Sequence, residues 1–273
     1  MNHLASVAGG RMDKTIAKVI DVNPLLESFG NAKTTRNDNS SRFGKFTLLQ
    51  FNDRGKLIGA KCDTYLLEKS RVVSIAEGER NYHIFYQMLA GLSPRELLDI
   101  ELDPKQKYKY IGELSEMKIP GMDDSKWLES TKKSLALIGL DTSAQKTLFQ
   151  ILAGVLVLGE ITFSESGESG SAISSEIELS QVARLFGLPN GSIQQALCNR
   201  TVITRNDSVT VPLDPMEAVE NRDALAKTIY SKMFDWMVQK INQAISGDES
   251  IIRGQIGVLD IFGFEDFAQN GFE

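Results

Sequence analysis

The chain has little histidine, little cysteine and no long apolar run, and each shortage removes a class of function. Only two of its 273 residues are histidine, His3 and His83, so imidazole-centred catalysis has little to work with. His83 falls in an expected helical run, 79–89, and reads there as packed or solvated rather than catalytic. The two cysteines, Cys62 and Cys198, stand far apart and fit no metal or redox spacing. A reduced, intracellular chain is the simple expectation. The most apolar stretch, 148–158, is interrupted by Gln150 and closed by Glu160. It is too short to span a bilayer and reads as a buried core helix. Met1-Asn2-His3 leads into small residues rather than an apolar leader, so a soluble protein with no direct membrane contact is expected. Basic residues are the minority, 30 against 36 acidic for a net charge of -6, which argues against a nucleic-acid partner. Internal repeats and long low-complexity segments are lacking too.

Against those shortages, 42% of the residues are hydrophobic, enough for a sizeable core in one or two domains. Residues 1–8 resemble the tail of a helix, and Gly9-Gly10 a flexible loop. Asn23-Pro24 reads as N-cap and N1 of a short helix ending at Phe29-Gly30. Segments 46–51 and 57–67 flank Asn52-Asp53-Arg54-Gly55 as a β-hairpin. From about 79 to 200 the pattern is mostly helical, with apolar spacing at 127–137, 144–158, 179–186 and 193–199. Segment 201–212 alternates Val202, Ile203, Val209 and Val211 around Asn206-Asp207, suggesting a protruding hairpin. Asp214-Pro215 opens a long helix whose buried stripe is expected to include Val219, Leu225, Ile229, Met233, Trp236, Met237 and Ile241. Residues 254–261 form an apolar run expected as a strand buried on both faces. The class expected is α/β.

Two polar strings carry the chemistry. Asn37-Asp38-Asn39-Ser40-Ser41-Arg42 offers short hydroxyl and amide side chains capable of fixed geometry, followed by a guanidinium. Asp260-Ile261-Phe262-Gly263-Phe264-Glu265 places a carboxylate at a strand end, where α/β folds put ligand-facing groups. Gly263 permits close backbone approach to an anion. Glu265 is a natural bidentate partner for Arg42. Phosphoryl transfer asks for this set: positioning and charge stabilisation rather than covalent chemistry. Alone, Ser-Ser-Arg is ordinary loop chemistry and an Asp-Ile-Phe-Gly turn recurs at many strand ends. Their joint occurrence, in this order, is what carries information.

Residues 31–45 resemble switch I of the myosin motor domain almost letter for letter, and Asp260-Ile261-Phe262-Gly263-Phe264-Glu265 resembles its switch II. Further family strings are 65–71, 79–86 and Asp223-Ala224-Leu225-Ala226-Lys227. The kinesin strings, Ser-Ser-Arg-Ser-His and Leu-Ala-Gly, are not matched. The resemblance implies a partial P-loop NTPase motor fold. Residues 1–70 would carry switch I and the hairpin, 71–250 a mainly helical actin-facing subdomain, and 251–273 switch II. It implies ATP and Mg2+ as cofactors, with Asn37 and Asn39 in the nucleotide site, Ser41 on magnesium and Ser40 positioning the lytic water. Asp260 would hold magnesium through water, the Gly263 N–H would bind the γ-phosphate, and Arg42 would pair with Glu265. It also implies actin filaments as partner, with Asp207 a permanent negative charge on the actin-contact loop. Light chains would bind through a lever arm outside these residues, and the whole would be cytoplasmic and cytoskeleton-associated.

The departures bear on activity. The family's P-loop is expected upstream of residue 1 and its relay helix beyond Glu273, so the isolated segment is expected to be inactive. Segment 164–171 contains Gly-Glu-Ser-Gly, half of the family's P-loop, without the Gly-Lys-Thr/Ser end, and reads as an acidic surface loop. A non-enzymatic actin-binding or regulatory fragment is the alternative from another class.

Overall fold

The computed structural model describes residues 14–261 apart from 113, 115, 116, 168 and 204–206, together with Gly263. The expected helix tail at 1–8, the Gly9-Gly10 loop and Glu265 lie outside the described residues. Helices and strands are mixed throughout, as the α/β expectation requires.

The hairpin forms from β3 (Gly44–Phe51), which begins two residues earlier than the sequence suggests, and β4 (Leu57–Tyr65), which ends two residues earlier. Its turn is closed by the Asn52 side chain, whose Oδ1 accepts from the backbone N–H of Arg54 and Lys56, with Gly55 at φ 69°. The strand β9 (Gly254–Asp260) pairs antiparallel with β3, giving the order β4–β3–β9. In that register Lys45 stands opposite Asp260. The expectation of a strand buried on both faces fails: β9 is the outer strand of this sheet, with Ile256 45%, Leu259 60% and Ile261 61% exposed. Its apolar run has no covering layer among the described residues, so composition alone misstates its burial.

Helix α1 (Lys14–Asp21) leads into α2 (Asn23–Gly30), with Val22 between them and Asn23 already helical. The predicted cap is therefore one residue late, because α1 delivers Val22 in helical geometry and leaves no extended residue to cap. Helices α3 (His83–Gly91), α4 (Pro94–Asp99), α5 (Asp124–Leu137) and α6 (Thr142–Gly159) follow, capped at α4, α5 and α6 by Ser93, Asp123 and Asp141. The apolar run of α6 is buried as expected from Leu152 through Gly159. The described residues of the half P-loop string lie at the turn of a small hairpin, β5 (Phe163–Ser166) with β6 (Gly170–Ile173), whose first strand is largely exposed and whose second is half-buried. Helices α7 (Glu176–Phe186) and α8 (Asn190–Cys198) lead to a second hairpin, β7 (Asn199–Ile203) with β8 (Ser208–Pro212).

Helix α9 (Pro215–Ile245) then runs 31 residues from that hairpin back to the sheet. Asp214 and Glu217 close a capping box at its start. Its buried face runs through Ala218, Arg222, Ala226, Tyr230, Phe234, Met237, Ile241 and Ile245, spaced three or four apart, with Met233 beside it. Of the expected stripe Met233, Met237 and Ile241 are buried, while Val219, Leu225 and Ile229 flank the face half-buried. Trp236, expected in the stripe, is 39% exposed, because one residue's 100° rotation from Met237 turns it to solvent. Arg222 takes a core position that apolar patterning cannot foresee, donating to the Ile161 carbonyl at 2.7 Å and to Asp223 at 2.7 and 2.9 Å. At the far end Asn242 presents its whole amide to the outer edge of β4. Its Oδ1 accepts from Cys62 N–H at 2.7 Å, and its Nδ2 donates to the Cys62 carbonyl at 2.8 Å. Beside it a Cβ on Gly59 would overlap the backbone nitrogen of Gly247, so chain and sheet touch backbone to backbone.

Candidate functional site

The polar loop hangs from a two-rung ladder between β1 (Asn31–Ala32) and β2 (Ser40–Ser41), which pairs Asn31 with Ser41 and Ala32 with Ser40. Within the loop Thr34 N–H donates to the Asn37 carbonyl at 2.9 Å, and Asn37 Oδ1 accepts from Asn39 N–H at 2.9 Å. These short-range bonds suit Asn and Thr, whose side chains imitate the backbone in turns. Asn37 is exposed, and its Nδ2 is in no described hydrogen bond. Ser41 Oγ donates to the Phe43 carbonyl at 3.0 Å. Ser40 is buried, and its Oγ accepts from Arg42 Nη1 at 3.1 Å.

Arg42 is itself 9% exposed, and its Nε meets Glu68 Oε2 at 2.6 Å. Glu68 is shared: Arg71 reaches the same oxygen through Nε at 2.7 Å and the other through Nη2 at 3.2 Å. Arg71 continues to Glu79 at 2.9 Å, and Glu79 Oε1 accepts from Thr35 N–H in the loop at 3.3 Å. Two buried guanidiniums and two carboxylates thus form a chain that starts and ends on the polar loop. Such a chain is stable only while complete, since removing one partner strands a buried charge.

Asn39 is held from three directions. Asn31 Nδ2 donates to its Oδ1 at 3.0 Å, His83 Nε2 faces the same oxygen at 3.1 Å, and its Nδ2 donates to Glu27 at 3.3 Å. His83 is fully buried at the start of α3, edge-on to Trp127 with ring centroids 5.8 Å apart. Burial, reinforced by the nearby Arg80 guanidinium, holds its pKa down at about 3, so the imidazole is neutral. Its placement as a packed residue follows the sequence reading, but its contact with the loop does not.

The second string arrives on β9. Pairing with β3 carries Asp260 to the end of the sheet where the chain leaves the polar loop, and its carboxylate lies 3.9 Å from Lys45 Nζ. Ile261 continues past Gly44, where its Cγ2 would stand 3.2 Å from a Cβ on that glycine. Gly263 is exposed with nothing within 4 Å of the position a Cβ would take. Glu265, and with it the pairing to Arg42, is outside the described residues. Asp207 sits elsewhere, on the β7–β8 turn, exposed and accepting from Ser208 N–H at 2.8 Å. Among the described residues no cluster of three or more His, Cys, Asp or Glu could hold a metal unaided, and no helix is long and apolar enough to cross a membrane.

Sequence reasoning missed Glu27, Glu68, Arg71, Glu79 and His83 as neighbours of the loop. Buried ion pairs follow no period, so the available signal was the charge density of Glu68-Lys69-Ser70-Arg71 and Glu79-Arg80 inside an apolar region.

The structure is a mixed helix-and-strand scaffold that brings a hydroxyl-rich loop and a strand-end carboxylate to one end of a sheet. The chain belongs to the myosin head (motor domain) family, whose description matches residues 1–273. It is 43% identical to unconventional myosin-Ia of Gallus gallus, over all of this chain and 27% of that protein. Against Myosin-14 and Myosin-7 of Arabidopsis thaliana the identities are 41% and 42%, again over all of this chain and over 18% and 16% of those proteins. The chain therefore spans roughly a quarter or less of the curated relatives it matches.

Proposed function

We propose that this chain is the switch-bearing part of an actin-based motor that couples ATP binding and hydrolysis to movement along filaments. The observation that carries the reading is the β3–β9 register. It brings Asp260 beside Lys45, three residues beyond Arg42, so that two strings distant in sequence face one region.

In this reading the arrangement is that of a P-loop NTPase motor, with the helical region 71–250 facing actin. Asn37 donates its Nδ2 hydrogens to phosphate, and Ser40, fixed by Arg42, orients the attacking water. The donors present fit magnesium. Ser41 retains hydroxyl lone pairs and Asp260 offers an exposed carboxylate, hard oxygens of the kind that hold Mg2+ jointly with substrate phosphates and water. When bound, the ion neutralises charge on the phosphate oxygens. Gly263 brings a backbone N–H to the γ-phosphate, and Arg42 pairs with Glu265 when the site closes. Asp207 supplies fixed negative charge toward actin. The protein is cytoplasmic and cytoskeleton-associated, with light chains carried on a lever arm.

The test is made in the full-length protein carrying this segment. Arg42→Glu is expected to abolish Mg-ATP turnover, and adding Glu265→Arg to restore part of it. No recovery in the double exchange would refute the pairing. Turnover left intact in Arg42→Glu would refute the site. Asp207→Ala, but not Asp207→Glu, is expected to lose actin activation without changing basal turnover.

A further inference from the structure

The amide oxygen of Asn39 is spent within the protein. It has two lone pairs, one taken by Asn31 Nδ2 at 3.0 Å and the other facing His83 Nε2 at 3.1 Å. The amide nitrogen already donates to Glu27 Oε2. The three partners come from separate segments, Glu27 on α2, Asn31 on β1 and His83 on α3, and they converge on the residue just before Ser40.

The hydrogen-bond logic fixes the imidazole. Asn39 Oδ1 can only accept, so Nε2 must carry the proton, and His83 is the Nε2–H tautomer. Nδ1 is then a buried acceptor without a partner among the described residues. The contact of Nε2 with Asn39 is then the one hydrogen bond of the imidazole among the described residues. The amide oxygen of Asn39 is thus fully committed within the protein, while its nitrogen keeps one hydrogen besides the one given to Glu27.

We infer that His83 is a positioning residue of the phosphate-sensing loop: its Nε2–H pins the Asn39 amide and so sets the backbone that presents Ser40, Ser41 and Arg42. Asn39 acts as the anchor of the loop through its amide oxygen. Its consequence for catalysis rests on the ATP reading above, but the pin itself does not.

Two variants separate the pin from simple packing, both made in the full-length protein. His83→Phe keeps a ring against Trp127 and removes the donor; His83→Gln keeps a donor. Hydrogen exchange is followed in peptides covering 37–41 and, as reference, in peptides of the β4 strand. His83→Phe is expected to speed exchange in the loop roughly five- to tenfold, the fold-change of one lost hydrogen bond, with β4 unmoved and His83→Gln recovering part of the protection. Equal exchange in wild type and His83→Phe would overturn the inference, as would equal acceleration of loop and β4, which marks general loosening. A loop that loosens while the KM for Mg-ATP and turnover stay unchanged would support the pin and refute the nucleotide reading.

Discussion

His83 makes the stability of this chain depend on pH between about 5 and 7, above the range in which ordinary carboxylates titrate. Its folded pKa lies at about 3 because burial and the Arg80 charge both disfavour the imidazolium, against about 6.5 in an unfolded chain. The unfolded state therefore binds more protons between those values, and stability falls as pH is lowered through them. At 1.36 kcal/mol per unit, acidification from the unfolded pKa to pH 5 removes about 2 kcal/mol. Carboxylates contribute lower down. Glu96, although partly desolvated, is held at about 2 by Lys132 and Ser93, so its contribution is lost from the ordinary carboxylate pKa downward as pH falls toward that value. Urea unfolding at pH 7 and pH 5, followed by tryptophan fluorescence, reads the effect as a fall in midpoint. His83→Gln is expected to be less stable at pH 7 and to lose about 2 kcal/mol less on going to pH 5. Glu160, raised by partial burial, acts in the opposite sense but equally in both proteins. The same loss in wild type and variant would refute the buried neutral imidazole.

Glu68→Gln should lower the thermal midpoint by an amount equivalent to about 3 kcal/mol, because Arg42 and Arg71 then share a neutral partner in a buried setting. A change below about 0.5 kcal/mol would mean that the ion chain is open to water. Gly59→Ala is expected to destabilise by about 1–3 kcal/mol through overlap with the Gly247 backbone, whereas Gly254→Ala, with nothing within 4 Å, should stay within about 0.5 kcal/mol. Equal effects would remove the close contact. Asn242→Ala leaves both polar groups of Cys62 without this partner and is expected to cost about 2–4 kcal/mol in chemical denaturation. Asn242→Asp, which keeps only the acceptor, should fall between alanine and wild type, and an order reversed between them would refute the paired geometry.

The parts of this fold that could be read from sequence are those with a local cause. Asn52 and Gly55 specify the hairpin turn, Asp214-Pro215 specifies the start of α9, and the apolar run at 148–158 specifies a core helix. What could not be read has a distant cause. Arg222 belongs in the core only because the Ile161 carbonyl is there to receive it, and β9 is exposed because nothing described covers its outer side. The polar loop was legible as chemistry, yet its supports were not, since Glu27, Glu68, Glu79 and His83 meet it through the tertiary fold alone.

Helix α9 has a mechanical consequence. At 1.5 Å per residue its 31 residues make a shaft about 46 Å long, seated at one end beside the β7–β8 hairpin and at the other against the sheet edge. Asp214 and Glu217 close the first turn, while Asn242 and the Gly59–Gly247 contact hold the last end against the sheet. A helix shortens only by breaking hydrogen bonds, so a load placed on its first turn would be borne along the shaft to its last. It emerges at Cys62 on β4, one strand away from the strand that leads out of the polar loop.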